Sequence, residues 1–73
     1  MTVDEVAGLM RILLEDDEVE PDDNFFDVGG TSLLAIELIS AIKDRAGVSL
    51  PLIDVIRNPS PEGISRLVAT CAD

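Results

Sequence analysis

Val3, Val6, Met10 and Leu13 recur at helical spacing, with Leu9 and Leu14 widening the stripe, while Asp4, Glu5, Gly8 and Arg11 fall mostly on the other side. Thr2-Val3-Asp4-Glu5 reads as a capping box at the start of this pattern, so a first helix is predicted from there to about Asp16. The segment from Glu15 to Asp27 is a long acidic connection containing Pro21, and Phe25-Phe26 are the residues able to pin it to a core. Leu34, Ala35, Leu38, Ile39 and Ile42 then form the apolar face of a second helix, from Thr31 to about Ala46. Gly47, after Lys43 and Arg45, supplies its C-terminal cap. Val48-Ser49-Leu50 is too short for a sheet of its own, and Pro51 to Arg57 reads as a short helix with proline at its first position, ended by Asn58-Pro59. Ser60-Pro61-Glu62 repeats the start signal, and Ile64, Leu67 and Val68 carry a last helix to about Ala72. The prediction is all-α: a four-helix bundle of three longer helices and one short third helix, with a long first loop, forming a single domain over residues 1–73.

Composition narrows the chemistry. A chain of 73 residues has room for one core, and its 47% hydrophobic content comes from aliphatic residues, with Phe25 and Phe26 the only rings. There is no histidine and one cysteine, Cys71, which excludes an internal disulfide, a histidine-based triad and a histidine-containing zinc site. Cys71 reads as a small packing residue and is assigned no role. Asp22-Asp23-Asn24 fails as a calcium loop, because the fifth position would be Phe26 and the twelfth Leu33. Fifteen acidic against five basic residues give a net charge of −10, which opposes nucleic acid and anionic membranes and favours basic-faced protein partners. No secretory signal and no long uncharged apolar run is present, so a cytoplasmic monomer is expected.

The candidate chemistry lies at Gly29-Gly30-Thr31-Ser32, where the polar loop meets the second helix. Paired glycines permit a sharp turn, Thr31 is placed to cap, and Ser32 becomes the first helical residue. Unpaired N–H groups and the positive dipole end at a helix start favour a phosphate ester on that hydroxyl. The octapeptide alone leaves two readings open, a helix cap and a phospho-linked attachment point. Leu33 and Ile36 fall off the core face beside Ser32, and they are either a docking surface or the second covered side of a buried helix. Gly-x-Ser-x-Gly is absent, and the glycine-rich segment lacks the lysine of a phosphate loop. No known catalytic constellation is present, and the chain is read as a non-enzyme.

The ordered features are an acidic loop, then Asp23-Asn24-Phe25-Phe26-Asp27-Val28-Gly29-Gly30-Thr31-Ser32-Leu33-Leu34-Ala35, an Ile/Leu helix, Leu50-Pro51-Leu52 and Asn58-Pro59-Ser60. Over nearly its whole length this resembles the carrier-protein family, and within it the peptidyl carrier (thiolation) domains of nonribosomal peptide synthesis. The resemblance implies that Ser32 receives 4′-phosphopantetheine from coenzyme A through a phosphopantetheinyl transferase. The thiol of that arm would hold an aminoacyl, peptidyl or acyl intermediate as a thioester. It further implies, as partners, an adenylation or other loading enzyme and condensation, tailoring or thioesterase enzymes, which would read Val28, Gly30, Thr31, Leu33 and Ile36 together with Leu52 and Ile56 of the third helix. Thr31 stands where acyl carriers typically have Asp and many peptidyl carriers have His or Asp, and Val28 where Leu is usual. An acyl carrier of polyketide or fatty-acid synthesis is the neighbouring alternative. A non-carrier acidic helical adaptor, with Ser32 as a helix cap, is the alternative of a different class.

Overall fold

The computed structural model describes residues 1–71. Helix α1 (Val3–Leu14) opens on the capping box: the Glu5 amide donates to the Thr2 hydroxyl at 3.2 Å and the Thr2 amide donates to Glu5 Oε1 at 2.9 Å. The Thr2 amide that donates to this carboxylate, followed by the Thr2 hydroxyl, lowers the Glu5 pKa from its ordinary value. The helix buries Val6, Ala7, Leu9 and Met10, while Val3, Leu13 and Leu14 stay half-buried. It ends two residues before the expected Asp16. Glu15 enters the left-handed region (φ 53°), and its N–H turns back to the carbonyls of Arg11 and Ile12, so no further turn can follow.

The acidic connection is folded onto the helices. Val19 is buried in its middle, and its carbonyl accepts from Arg11 Nε at 3.1 Å and Nη2 at 2.7 Å. A buried residue in the middle of an acidic run gives no periodic signal, which is why the sequence did not point to it. Two long-range main-chain bonds fasten the same segment to the other end of the chain: Phe25 N–H to the Pro59 carbonyl at 2.8 Å, and Glu62 N–H to the Pro21 carbonyl at 3.1 Å.

Helix α2 (Ser32–Ala46) packs against α1, with Ala35, Leu38 and Ile42 fully buried and Leu34 and Ile39 flanking them. Its C-terminal cap is Gly47 (φ 70°), whose N–H donates to the Lys43 carbonyl at 2.9 Å. Helix α3 (Leu52–Arg57) packs on α2. Pro51 sits at its N-cap with extended backbone, one position earlier than expected, and Asn58 closes the helix by donating from both its amide and its side chain to the Asp54 carbonyl. Helix α4 (Pro61–Cys71) starts with the Gly63 amide donating to the Ser60 hydroxyl at 3.0 Å, and it packs along α1. Ser65 Oγ ties it to the chain start by donating to the Met1 carbonyl at 2.8 Å. The expected extension of this helix to about Ala72 falls outside the described residues.

One core results, built from Val6, Met10, Val19, Phe25, Leu38, Ile42, Val55, Ile64 and their neighbours, with no polar side chain buried in it among the described residues. Those residues form four helices and no strand, which is the expected bundle with a long first loop. None of these helices is long and apolar enough to cross a membrane.

Candidate functional site

The platform beneath Ser32 begins at Asn24. Its Oδ1 accepts from the amides of Phe26 (2.9 Å) and Asp27 (3.3 Å), and its carbonyl accepts from those of Asp27 (3.0 Å) and Val28 (3.2 Å), which winds the chain into a tight turn. That turn drives Phe25 wholly into the core, with the half-buried Phe26 meeting it edge to face at a centroid distance of 5.5 Å.

The two glycines that follow do different things. Gly29 lies at φ 110°, a conformation closed to side-chain-bearing residues at ordinary cost. Gly30 has no unusual φ. It is required by space, because a Cβ there would lie 2.5 Å from both Cε2 of the Phe25 ring and the Phe25 carbonyl oxygen. The Gly30 amide donates to that same carbonyl at 2.8 Å, locking the glycine over the ring. The expectation that both glycines serve φ therefore holds for Gly29 alone.

Thr31 follows with extended backbone, and its hydroxyl accepts the Leu34 amide at 3.2 Å. Thr31 is thus the N-cap and Ser32 the exposed first helical residue, as the sequence predicts, and the alternative that makes Ser32 the helix cap does not hold. A solvent-facing primary hydroxyl results, fixed at a rigid helix start and not needed for the cap.

The residues expected to meet partners divide into two groups. Leu33 is 68% exposed and Ile36 51%, which settles that they lie outside the core, and Ile56 on α3 is exposed as well. Val28 and Leu52 are half-buried and lean on the core, Gly30 is half-buried over Phe25, and Thr31 is exposed with its hydroxyl in the cap. Sequence reasoning missed Ile53, which is 52% exposed. Its signal was weak because Leu52/Val55 and Ile53/Ile56 are equivalent i, i+3 pairs on a six-residue helix, and only the packing shows which pair faces inward.

Comparison with known proteins agrees with this geometry. A family profile described as "Phosphopantetheine attachment site" matches residues 3–68. Surfactin synthase subunit 1 of Bacillus subtilis (strain 168) is 32% identical over 69 residues, covering 94% of this chain and 2% of that protein. Indigoidine synthase of Streptomyces lavendulae is 37% identical over 65 residues, covering 89% of this chain and 5% of the synthase. The chain thus spans only a small fraction of the length of these relatives. Among solved structures, "Structure of the Phosphopantetheine Transferase Sfp in Complex with Coenzyme A and a Peptidyl Carrier Protein" contains a chain that matches with a TM-score of 0.92 and 26% identity, over 96% of this chain and 91% of that one.

Proposed function

We propose that Ser32 is the attachment point of a 4′-phosphopantetheine arm, on the premise that this chain belongs to the phosphopantetheine attachment site family. Ser32 Oγ forms the new bond to the coenzyme A phosphorus that bears pantetheine, the pyrophosphate P–O bond breaks so that adenosine 3′,5′-bisphosphate leaves, and the serine proton passes to a base on the transferase. Once attached, the arm supplies a terminal thiol that holds cargo as a thioester. The chain itself contributes the hydroxyl, its placement and the surface that partner enzymes read. It is a shuttle, not a catalyst.

One observation carries the assignment to Ser32: it is exposed at the first position of α2 while the cap is made by Thr31. Other serines lack this setting. Ser60 Oγ caps α4, Ser65 Oγ is bonded to the Met1 carbonyl, and Ser40 lies inside α2. The buried Phe25 ring packs against Gly30 just before the helix start, and Gly29 adds no side chain to the exposed turn.

The cargo class we infer is aminoacyl or peptidyl, in a nonribosomal peptide or hybrid peptide-polyketide pathway, a reading supported by similarity to a nonribosomal peptide synthase and a hybrid synthetase. The corresponding partners are the transferase, an adenylation or loading enzyme, and condensation, tailoring or thioesterase enzymes. Leu33, Ile36, Ile53 and Ile56 offer them exposed apolar side chains, with the exposed Thr31 and the half-buried Val28, Gly30 and Leu52 as further contacts.

Intact mass after incubation with coenzyme A and a promiscuous phosphopantetheinyl transferase tests the assignment. One arm per chain is expected, located to Ser32 by peptide mapping and absent from Ser32→Ala. An arm on another serine, or a Ser32→Ala chain that still gains the mass, refutes it.

A further inference from the structure

We propose that Asn58 is a positioning residue for Ser32: by closing α3 it holds in place the Pro59 carbonyl that fastens the turn before the serine, and this rests on the Ser32 reading above. Asn58-Pro59-Ser60 lies between α3 and α4, all three residues are half-buried, and each serves a different element. Asn58 ends α3, the Pro59 carbonyl accepts the Phe25 amide at 2.8 Å, and Ser60 Oγ accepts the Gly63 amide in the first turn of α4.

The end of α3 depends on the Asn58 side chain because the next residue cannot help. Pro59 has no N–H, so it brings no donor to the last carbonyls of the helix. Asn58 supplies two, its amide and its Nδ2, which both reach the Asp54 carbonyl at 3.0 Å. On its other side it rests on α4: a Cβ at the buried Gly63 would lie 3.1 Å from Asn58 Cβ and from the Asn58 carbonyl oxygen. The peptide group that leads into Pro59 is therefore placed by both helices.

From Pro59 the route to Ser32 is short. The Phe25 N–H donates to the Pro59 carbonyl, the Phe25 carbonyl accepts the Gly30 amide at 2.8 Å, and Thr31 and Ser32 follow directly in the chain. Phe25 is wholly buried, so a Pro59 carbonyl that drew away would leave a buried N–H without a partner. Only the bonds to Asn24 and the Gly30 bond to Phe25 would then hold the turn. Loss of the single Asn58 Nδ2 bond shifts a local opening equilibrium about two- to tenfold. A misplacement of about 1 Å can slow a positioned reaction about 100-fold, so a smaller shift at Ser32 suffices to change the rate of its modification.

Asn58→Ala is to be compared with wild type by amide hydrogen exchange and by transfer from coenzyme A with a promiscuous phosphopantetheinyl transferase, the mass gain being mapped to Ser32. Exchange at Phe25 and Gly30 should quicken about two- to tenfold, and at Gly47, which caps the other end of α2, by less than about twofold. The transfer rate at saturating carrier should fall about threefold or more while the KM for the carrier stays within about twofold, since the hydroxyl is displaced and the exposed apolar side chains are not. Asn58→Ser, which keeps one shorter donor, should show the same pattern at smaller size, and it takes the place of Asn58→Ala where that variant does not fold. Ser65→Ala, which removes a side-chain bond between α4 and Met1, is the control and should leave Gly30 exchange and the transfer rate unchanged. Unchanged exchange at Phe25 and Gly30, equal acceleration at Gly47, or a loss confined to KM overturns the proposal. A wild-type chain that gains no mass at Ser32 removes the carrier reading and the positioning role together, and mass analysis separates that failure from the others.

Discussion

Gly30→Ala is the substitution whose cost follows most directly from the site. The added methyl meets the Phe25 ring and the Phe25 carbonyl oxygen, with Cε2 and the oxygen each 2.5 Å away. The oxygen belongs to the main chain and cannot rotate aside. Nor can the ring withdraw: it has no exposed surface, and its residue is held through its N–H to Pro59 and through its carbonyl to Gly30. Overpacking a closed core typically costs about 1–3 kcal/mol, and losing a buried phenylalanine altogether costs about 3–5 kcal/mol. An expected loss of about 3 kcal/mol lies where those ranges meet, and it is a large share of the roughly 4–11 kcal/mol available to a domain of this size. Urea unfolding of wild type, Gly30→Ala, Phe25→Leu and the double variant measures it. Because leucine clears the space occupied by the ring, Gly30→Ala should cost at least about 1 kcal/mol less in the Phe25→Leu background, a coupling that a double-mutant cycle isolates. Gly29→Ala is the control: a methyl there would meet nothing within 4 Å, so only its φ of 110° is strained, and its cost of about 1–3 kcal/mol should be indifferent to Phe25→Leu. A Gly30→Ala loss below about 1 kcal/mol refutes the steric account, and a loss unchanged by Phe25→Leu removes the ring from it, leaving the main-chain oxygen as the whole clash.

Three further outcomes follow from particular residues. Leu33→Ala and Ile36→Ala should each cost under about 1 kcal/mol, against about 2–5 kcal/mol for Leu38→Ala, while slowing transferase turnover; a core-sized loss at Leu33 in thermal or urea unfolding would mean that the helix face is misassigned. Glu15→Gly should stabilise by up to about 1 kcal/mol by relieving the left-handed backbone at φ 53°, whereas Glu15→Gln, which keeps the strain and removes only the charge, should gain less; equal gains would assign the effect to charge. Since Thr2 holds the Glu5 pKa below its unfolded value, the charged form favours folding above the unfolded pKa and that contribution disappears as pH falls through the folded one; stability measured from pH 5 to pH 3 should therefore drop more steeply in wild type than in Glu5→Gln, and parallel curves would exclude the capping-box linkage.

The legible parts of this molecule were those written in period and punctuation. Thr2 and Glu5, Gly47, Asn58 and Ser60-Pro61 all terminate or start helices through bonds that short sequence patterns announce, and the Ala35, Leu38, Ile42 face is buried where the spacing put it. What was not legible depends on contacts between distant segments. The end of α1 at Leu14 depends on Glu15, a residue with no preference for the left-handed region, so no sequence signal marks it. The buried Val19 has its carbonyl accept from the Arg11 guanidinium, and the need for Gly30 exists only because Phe25 comes to lie against it. On α3 the choice between Leu52/Val55 and Ile53/Ile56 is made by α2, against which the helix packs. At the site, Ser32 could be read from its place after two glycines and a capping residue. The missed Ile53 could not.

The bonds from Phe25 to Pro59 and from Glu62 to Pro21 also set a schedule for biosynthesis. As the chain leaves the ribosome, Ser32 emerges well before the segment that fastens Phe25 in place, and until Pro59 to Glu62 arrive the turn beneath Gly30 has only its own local bonds, to Asn24 and to the Phe25 carbonyl, to hold it. Elongation at about 5–20 residues per second separates the two events by roughly 1–6 seconds. A nascent chain stalled short of Pro59 would expose the serine without its platform. On the Ser32 reading, competence for a transferase is therefore acquired only when α4 begins to form, although Ser32 itself stands at the start of α2.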